Sequence, residues 1–218
     1  MPPSLPLNTV RLDHIDLAPS RPLVIVDVDE VLGLFMAGFG AYLETKGLEF
    51  RIEKFALFQN IYRPGETEHL DLEEGRQHFE SFFRYAAGDM PLAEGGPGAL
   101  KMLSDHASIV ILTNAPGQAR LGRARWLARH GMDYPLILSS GPKGPLTARL
   151  AAQVSAPVAF VDDMISNLDS VAEHAPHVAR FQSVADTRLR HLAPSRPEVH
   201  TRIDDWESLG AAIKSAIT

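Results

Sequence analysis

Four short apolar runs, each closing on a polar residue, constrain this chain more than anything else in it. They are Pro22-Leu-Val-Ile-Val-Asp-Val-Asp29, Ser108-Ile-Val-Ile-Leu-Thr113, Pro135-Leu-Ile-Leu-Ser139 and Pro157-Val-Ala-Phe-Val-Asp162. None alternates apolar with polar residues, so each reads as a strand covered on both faces, as in a parallel sheet. Weaker runs at His177–Phe181 and Glu198–Ile203 read as a fifth and a sixth strand. Helical patterns separate them at Pro97–Asp105, Gly117–His130, Leu146–Val154, Ile165–Glu173 and Trp206–Ile217. The second of these places Leu121, Ala124, Leu127 and Ala128 together, and the last Trp206, Leu209, Ile213 and Ile217. Strand and helix in alternation predict repeated βαβ units, an α/β class with a parallel sheet, over residues 21–32 and 95–218.

One stretch breaks the alternation. About 65 residues separate the first strand from the helix at Pro97, too many for one crossover. Within it Leu34–Lys46, Ile52–Tyr62 and Leu72–Ala87 all read as helical, and Phe79, Phe82, Phe83 and Ala86 give the third a wide apolar face. Residues 33–94 therefore read as an inserted helical subdomain, with 6 Lys+Arg against 11 Asp+Glu, or −5 of the chain's net −6. Residues 1–20, with four prolines and little periodicity, read as an extended lead-in.

Composition removes several kinds of function. With 45% hydrophobic and 22% charged residues, the 218-residue chain has the make-up of a folded globular protein, not of a disordered one. No apolar run approaches the ~20 residues of a membrane span, and the first residues lack a basic start followed by an apolar block. A cytoplasmic protein with no membrane partner is the expectation. A net charge of −6 and a pI near 5.8 speak against a nucleic-acid-binding surface. Without cysteine there is no thiolate nucleophile and no Cys-zinc site, and the nine histidines lack HxH or HxxxH spacing.

Parallel sheets place their working residues at the carboxyl ends of the strands. Here those ends carry Asp27 and Asp29, Thr113 with Asn114, Ser139, and Asp162 with Asp163. Two carboxylates two residues apart in an extended strand point the same way, and they repel unless a cation or proton lies between them. Acids gathered at neighbouring strand ends are hard oxygen ligands suited to Mg²⁺. Thr113-Asn114 adds a hydroxyl and an amide, and Lys143, in a loop just before a helix, adds a positive point charge. Taken singly, the acids could be turn or helix-capping residues and Lys143 a surface lysine. Together, an acidic metal cluster with a hydroxyl and a lysine is what phosphoryl transfer needs.

The same residues resemble the four motifs of the haloacid dehalogenase superfamily. Val24-Ile-Val-Asp27-Val-Asp29-Glu-Val31-Leu32 resembles the first and Ile109-Val-Ile-Leu-Thr113-Asn114 the second. Lys143-Gly-Pro-Leu resembles the third, and Val158-Ala-Phe-Val-Asp162-Asp163-Met-Ile-Ser-Asn167 the fourth. The resemblance implies a Rossmann-like three-layer α/β/α core with a small α-helical cap at residues 33–94. It implies a Mg²⁺-dependent phosphatase acting on a small phosphorylated metabolite. Asp27 would be the nucleophile and Asp29 the general acid/base, with its backbone carbonyl on the metal. Thr113, Asn114 and Lys143 would hold the phosphoryl group, Asp163 and Asp162 would hold Mg²⁺ with Asp27, and Asn167 would orient a metal-bound water. The first motif departs from the common Asp-x-Asp-Gly-Thr, having Glu30 where glycine would permit a positive φ, and Lys143 is followed by Gly-Pro where Lys-Pro is common. The insert's Arg51, Lys54, Arg63, Arg76 and Arg84 are candidate substrate contacts. A phosphomutase of the same superfamily and a non-catalytic phospho-ligand-binding protein are the alternatives, while oligomeric state and substrate identity stay open.

Overall fold

The computed structural model describes residues 15–218, so the expected lead-in lies outside the described residues over positions 1–14. Six strands form one parallel sheet: β1 (Leu23–Val26), β4 (Ser108–Asn114), β5 (Leu136–Ser139), β6 (Val158–Asp162), β7 (Ala179–Gln182) and β8 (Thr201–Arg202). Their order is β5-β4-β1-β6-β7-β8, which puts β1 at the middle between β4 and β6. The two weaker runs are indeed strands, each shorter than its apolar pattern.

Alternate residues of the central strands divide the core into two layers. Val24, Val26, Ile109, Ile111, Ala159 and Val161 face one cluster, which also holds residues of α3 (Gly96–Ser104), α4 (Arg120–Arg129) and α7 (Trp206–Ile217). Leu23, Ile25, Val110, Leu112, Val158 and Phe160 face the other, with α5 (Gly144–Ala151) and α6 (Ile165–His174). The layers are thus helix, sheet, helix, as expected for buried parallel strands. Among the described residues, no helix is long and apolar enough to cross a membrane.

The helices keep their expected places with one rotation. On α4 the buried residues are Arg123, Ala124, Trp126 and Leu127, whereas Leu121 is 40% exposed and Ala128 is exposed. The inward face is therefore turned from the one that leucine and alanine spacing predicts, and an arginine lies on it. Trp126 sets that rotation: its ring is fully buried and its Nε1 donates to the Met90 carbonyl at 2.8 Å.

Between β1 and α3 the chain forms α1 (Phe35–Glu44), a hairpin of β2 (Glu49–Phe50) and β3 (Ile61–Tyr62), and α2 (Leu72–Tyr85). The hairpin corrects the helix expected at Ile52–Tyr62. Asn60 is the reason: its buried amide donates to the Lys54 and Ala56 carbonyls and accepts from the Glu53 N–H. One side chain thus satisfies backbone groups that a helix would have paired, and it holds residues 53–60 as a compact loop. An aromatic cluster joins the two helices, with Phe35, Phe39, Phe79, Phe82 and Phe83 at centroid spacings from 4.8 to 6.4 Å. Helix α2 starts where Asp71 accepts from the Glu73 and Glu74 N–H groups, a side-chain cap.

Two glycines test this packing in opposite senses. A Cβ on Gly144 would lie 2.2 Å from the Ser170 carbonyl oxygen, because α5 and α6 touch there backbone to backbone. A Cβ on Gly122, inside α4, would meet nothing within 4 Å. Gly144→Ala is expected to lower unfolding free energy by about 1–3 kcal/mol and Gly122→Ala to raise it by up to ~1 kcal/mol, both read by urea denaturation.

Candidate functional site

Strand register explains how the acids come together. Val26 pairs with Val161, so Asp27 and Asp162 are the next residues of adjacent strands and continue the face that α5 and α6 cover. Lys143 stands just before the start of α5 on that same side. Its Nζ lies 2.8 Å from Asp27 Oδ1 and 2.7 Å from Asp162 Oδ2, with the lysine fully buried. Burial alone would lower the Lys143 ammonium, but Asp162 and Asp27 outweigh it and hold it above its ordinary value. Lys143 is thus no surface lysine.

Asp27, Asp162 and Asp163 bring carboxylate oxygens within 4.8 Å of one another, all three buried. Asp162 is fully engaged, for Oδ2 takes Lys143 while Oδ1 accepts from the Met164 N–H at 2.9 Å and Asn167 Nδ2 at 3.0 Å. Asp163 instead lines a cleft of about 240 Å³ together with Asp27, Asp29, Glu30, Asn114 and Lys143. Burial first, then Asp162 and Asp27, push its carboxyl well above the usual range. Asn167 spends its amide on Asp162, so orienting that carboxylate is its visible work. Thr113 is fully buried and its hydroxyl makes no hydrogen bond. The Asn114 side chain bridges loops, donating to the Gly141 carbonyl at 3.0 Å and accepting from Ser139.

Asp29 departs from expectation. Strand β1 ends at Val26; Asp27 still keeps to the α5 side with Lys143, but the alternation does not carry on to Asp29, whose carboxylate turns to α4. The Asp29 carboxylate lies outside the acidic cluster and makes a two-pronged pair with Arg123 Nη2, at 2.7 and 2.8 Å. A place for Asp29 at a metal is therefore limited to its backbone carbonyl. Burial raises its carboxyl, with Arg123 pulling the other way. Arg123 itself reaches the Met90 sulfur at 3.6 Å and lies 5.2 Å from the Phe83 ring centroid, so it joins the sheet layer to the insert. Composition gave no warning of this residue. Its signal was an arginine spaced i+4 from buried Ala119 and i−4 from buried Leu127.

Glu30 adopts the left-handed conformation, φ 58°, that a glycine at this position would permit more readily. Its Oε1 accepts from the Met36 N–H at 2.7 Å, in the first turn of α1, where Leu34 can supply no side-chain cap. The other oxygen is buried without a partner, and burial pushes the carboxyl up to about 8. None of the insert's candidate cations lines the cleft. Arg51 pairs with Glu49, Arg63 with Glu74 and Arg76 with Glu73, while Arg84 lies over Tyr85. A larger concavity of about 500 Å³ between the end of α2 and α4 holds none of the strand-end acids.

No protein-family model matches the sequence, and no curated protein does. Solved structures do match the fold. Bacillus subtilis YfnB, described as a HAD-hydrolase and bound to magnesium, matches with TM-score 0.59 and 12% identity over 89% of this chain and 99% of that one. The chain has the haloacid dehalogenase fold. A Thermotoga maritima protein described as a β-phosphoglucomutase gives 0.57 and 15% over 89% and 99%. An L-2-haloacid dehalogenase gives 0.58 and 11% over 89% and 100%. Three chemistries thus share this architecture, so the side chains must decide among them.

Two measurements follow from the site. Removing one partner of a buried pair is costly, so Arg123→Met is expected to destabilise by about 3 kcal/mol. The Asp29→Asn, Arg123→Met double variant should recover part of that loss in a double-mutant cycle. Glu30 holds its proton to about pH 8 when folded but only to its ordinary 4.5 when unfolded. The folded state thus binds the extra proton between those values, and stability is lost as pH rises through that window. In EDTA, Glu30→Gln should fall less steeply than wild type from pH 6 to 8, by up to about one proton's slope, roughly 1.4 kcal/mol per pH unit.

Proposed function

We propose that the protein is a Mg²⁺-dependent phosphatase that hydrolyses a small phosphate monoester through an aspartyl-phosphate, with residues 33–94 as its cap. One observation carries this reading: three buried carboxylates, Asp27, Asp162 and Asp163, lie together beside one buried ammonium, Lys143, which pairs with the first two. Fully ionised, those four groups leave two negative charges uncompensated, which suits a divalent cation held by Asp27, Asp163 and the Asp29 carbonyl. When bound, Mg²⁺ would supply positive charge for the phosphoryl oxygens.

Asp27 attacks phosphorus and the ester P–O bond breaks, while Asp29 gives its proton to the leaving oxygen. Asp29 then takes a proton from water, which attacks the aspartyl-phosphate, releasing phosphate and restoring Asp27. Burial raises the Asp29 carboxyl, as an acid that must carry a proton requires. Lys143 keeps the Asp27 carboxylate oriented and its charge offset. The buried Thr113 hydroxyl has no partner of its own, and it would donate to a phosphoryl oxygen as the resemblance implies. Asp29 also weighs against dehalogenation, since the resemblance implies that haloacid dehalogenases lack that acid.

Turnover of p-nitrophenyl phosphate and of a panel of natural phosphates, with Mg²⁺ and with EDTA, tests the proposal. Asp27→Asn should lower kcat by at least about 10³-fold and Asp29→Asn by about 10²–10⁴-fold, with EDTA abolishing turnover. Silence of a folded wild type across the whole panel would sink it.

A further inference from the structure

We infer that the alcohol half of the substrate is compact and apolar, an aryl or branched alkyl group and not a sugar, a nucleoside or a second acid. The inference rests on the phosphatase reading for the polar end of the cleft. At the other end the insert presents Phe35, Met36, Phe55, Leu57 and Phe79, and Met164 faces them from the start of α6. Met164 is 42% exposed, a large apolar side chain left in solvent beside the acids. Phe79 packs on Phe83 at 4.8 Å and on Phe35 and Phe58 at 6.0 Å, and it also lines the cleft.

What these walls lack is equally specific. Sugar hydroxyls brought against them would lose water and find no partner, a cost that excludes them. A second carboxylate would need a cation, and no arginine or lysine of the insert lines the cleft. Glu30 accepts from the Met36 N–H at Oε1, and its other oxygen, buried and unpartnered, offers no cation to a second carboxylate. At about 240 Å³, the cleft has room for roughly eight waters, which suits a phosphoryl group with one ring or short branched chain.

Benzylphosphonate and methylphosphonate, which cannot be hydrolysed, separate this inference from the reaction. In isothermal titration with Mg²⁺, benzylphosphonate is expected to bind wild type at least about tenfold tighter. Met164→Gln, at an exposed position, and Leu57→Gln, in a loop, should each cut that preference while leaving methylphosphonate affinity within about twofold. Equal affinities, a preference untouched by both substitutions, or binding of neither phosphonate overturns the inference. Turnover of benzyl phosphate beside glycerol 3-phosphate and AMP completes the test, because these alcohols are comparably poor leaving groups. Higher kcat/KM for the polar esters would overturn the apolar assignment and leave the phosphatase standing. Benzylphosphonate preference without hydrolysis of any ester would leave the apolar site standing and remove the phosphatase.

Discussion

A single buried ammonium holds this site together. Lys143 lies between Asp27 on β1 and Asp162 on β6, at 2.8 and 2.7 Å, and carries α5 with it. Taking such charges out of water is expensive, and their attraction offsets the cost only when geometry is good and spare lone pairs are filled. Here both conditions are visible. Parallel register puts the two carboxylates level on neighbouring strands, and the Met164 N–H and Asn167 complete Asp162. The tight seat of Gly144 on Ser170 fixes where α5 begins, and hence where the lysine points. Strand register, helix packing and site charge are one constraint seen from three sides.

The loop after β1 solves a second electrostatic problem. Asp27, Asp29 and Glu30 are three acids within four residues, and like charges so placed repel. Each has a different partner: Lys143 on the α5 side, Arg123 on α4, and the first turn of α1. The left-handed turn at Glu30 is part of this separation, because it lets the carboxyl reach back to the Met36 N–H. Such a conformation costs a non-glycine residue about 1–2 kcal/mol, and the hydrogen bond at an otherwise uncapped helix start offsets it. Arg123 extends the arrangement into the insert through Met90 and Phe83, so the proposed acid/base and the wall above it share a support.

Much of this was legible in the residues, for physical reasons. A strand buried on both faces leaves an unbroken apolar run, and acids at its end stand out against it, so Asp27, Asp162 and Asp163 could be read directly. Lys143 could be placed only by its loop before a helix, since nothing in its neighbours shows that it is buried. Ile52–Tyr62 misled because local apolar spacing cannot reveal that Asn60 will take over the loop's backbone hydrogen bonds. Arg123 was hidden by its type. A helix face is normally found by its leucines, and this one is set by Trp126 and by an arginine whose charge is matched by an acid 94 residues away in sequence.

The insert's negative charge and its cleft surface are separate matters. Residues 33–94 hold −5 of the chain's −6, yet the side chains they turn to the cleft are apolar. Arg51, Arg63 and Arg76, which could have served an anionic substrate, are paired with acids of the insert's own surface, and Arg84 lies over Tyr85. Charge on that segment therefore solvates its outer face, and under the proposed function recognition at its inner face would work by exclusion of water. Water kept from the strand ends strengthens every interaction of Lys143 and the three carboxylates, because the effective dielectric there falls. An apolar wall opposite an acidic cluster thus serves the polar half of the cleft as much as the apolar one.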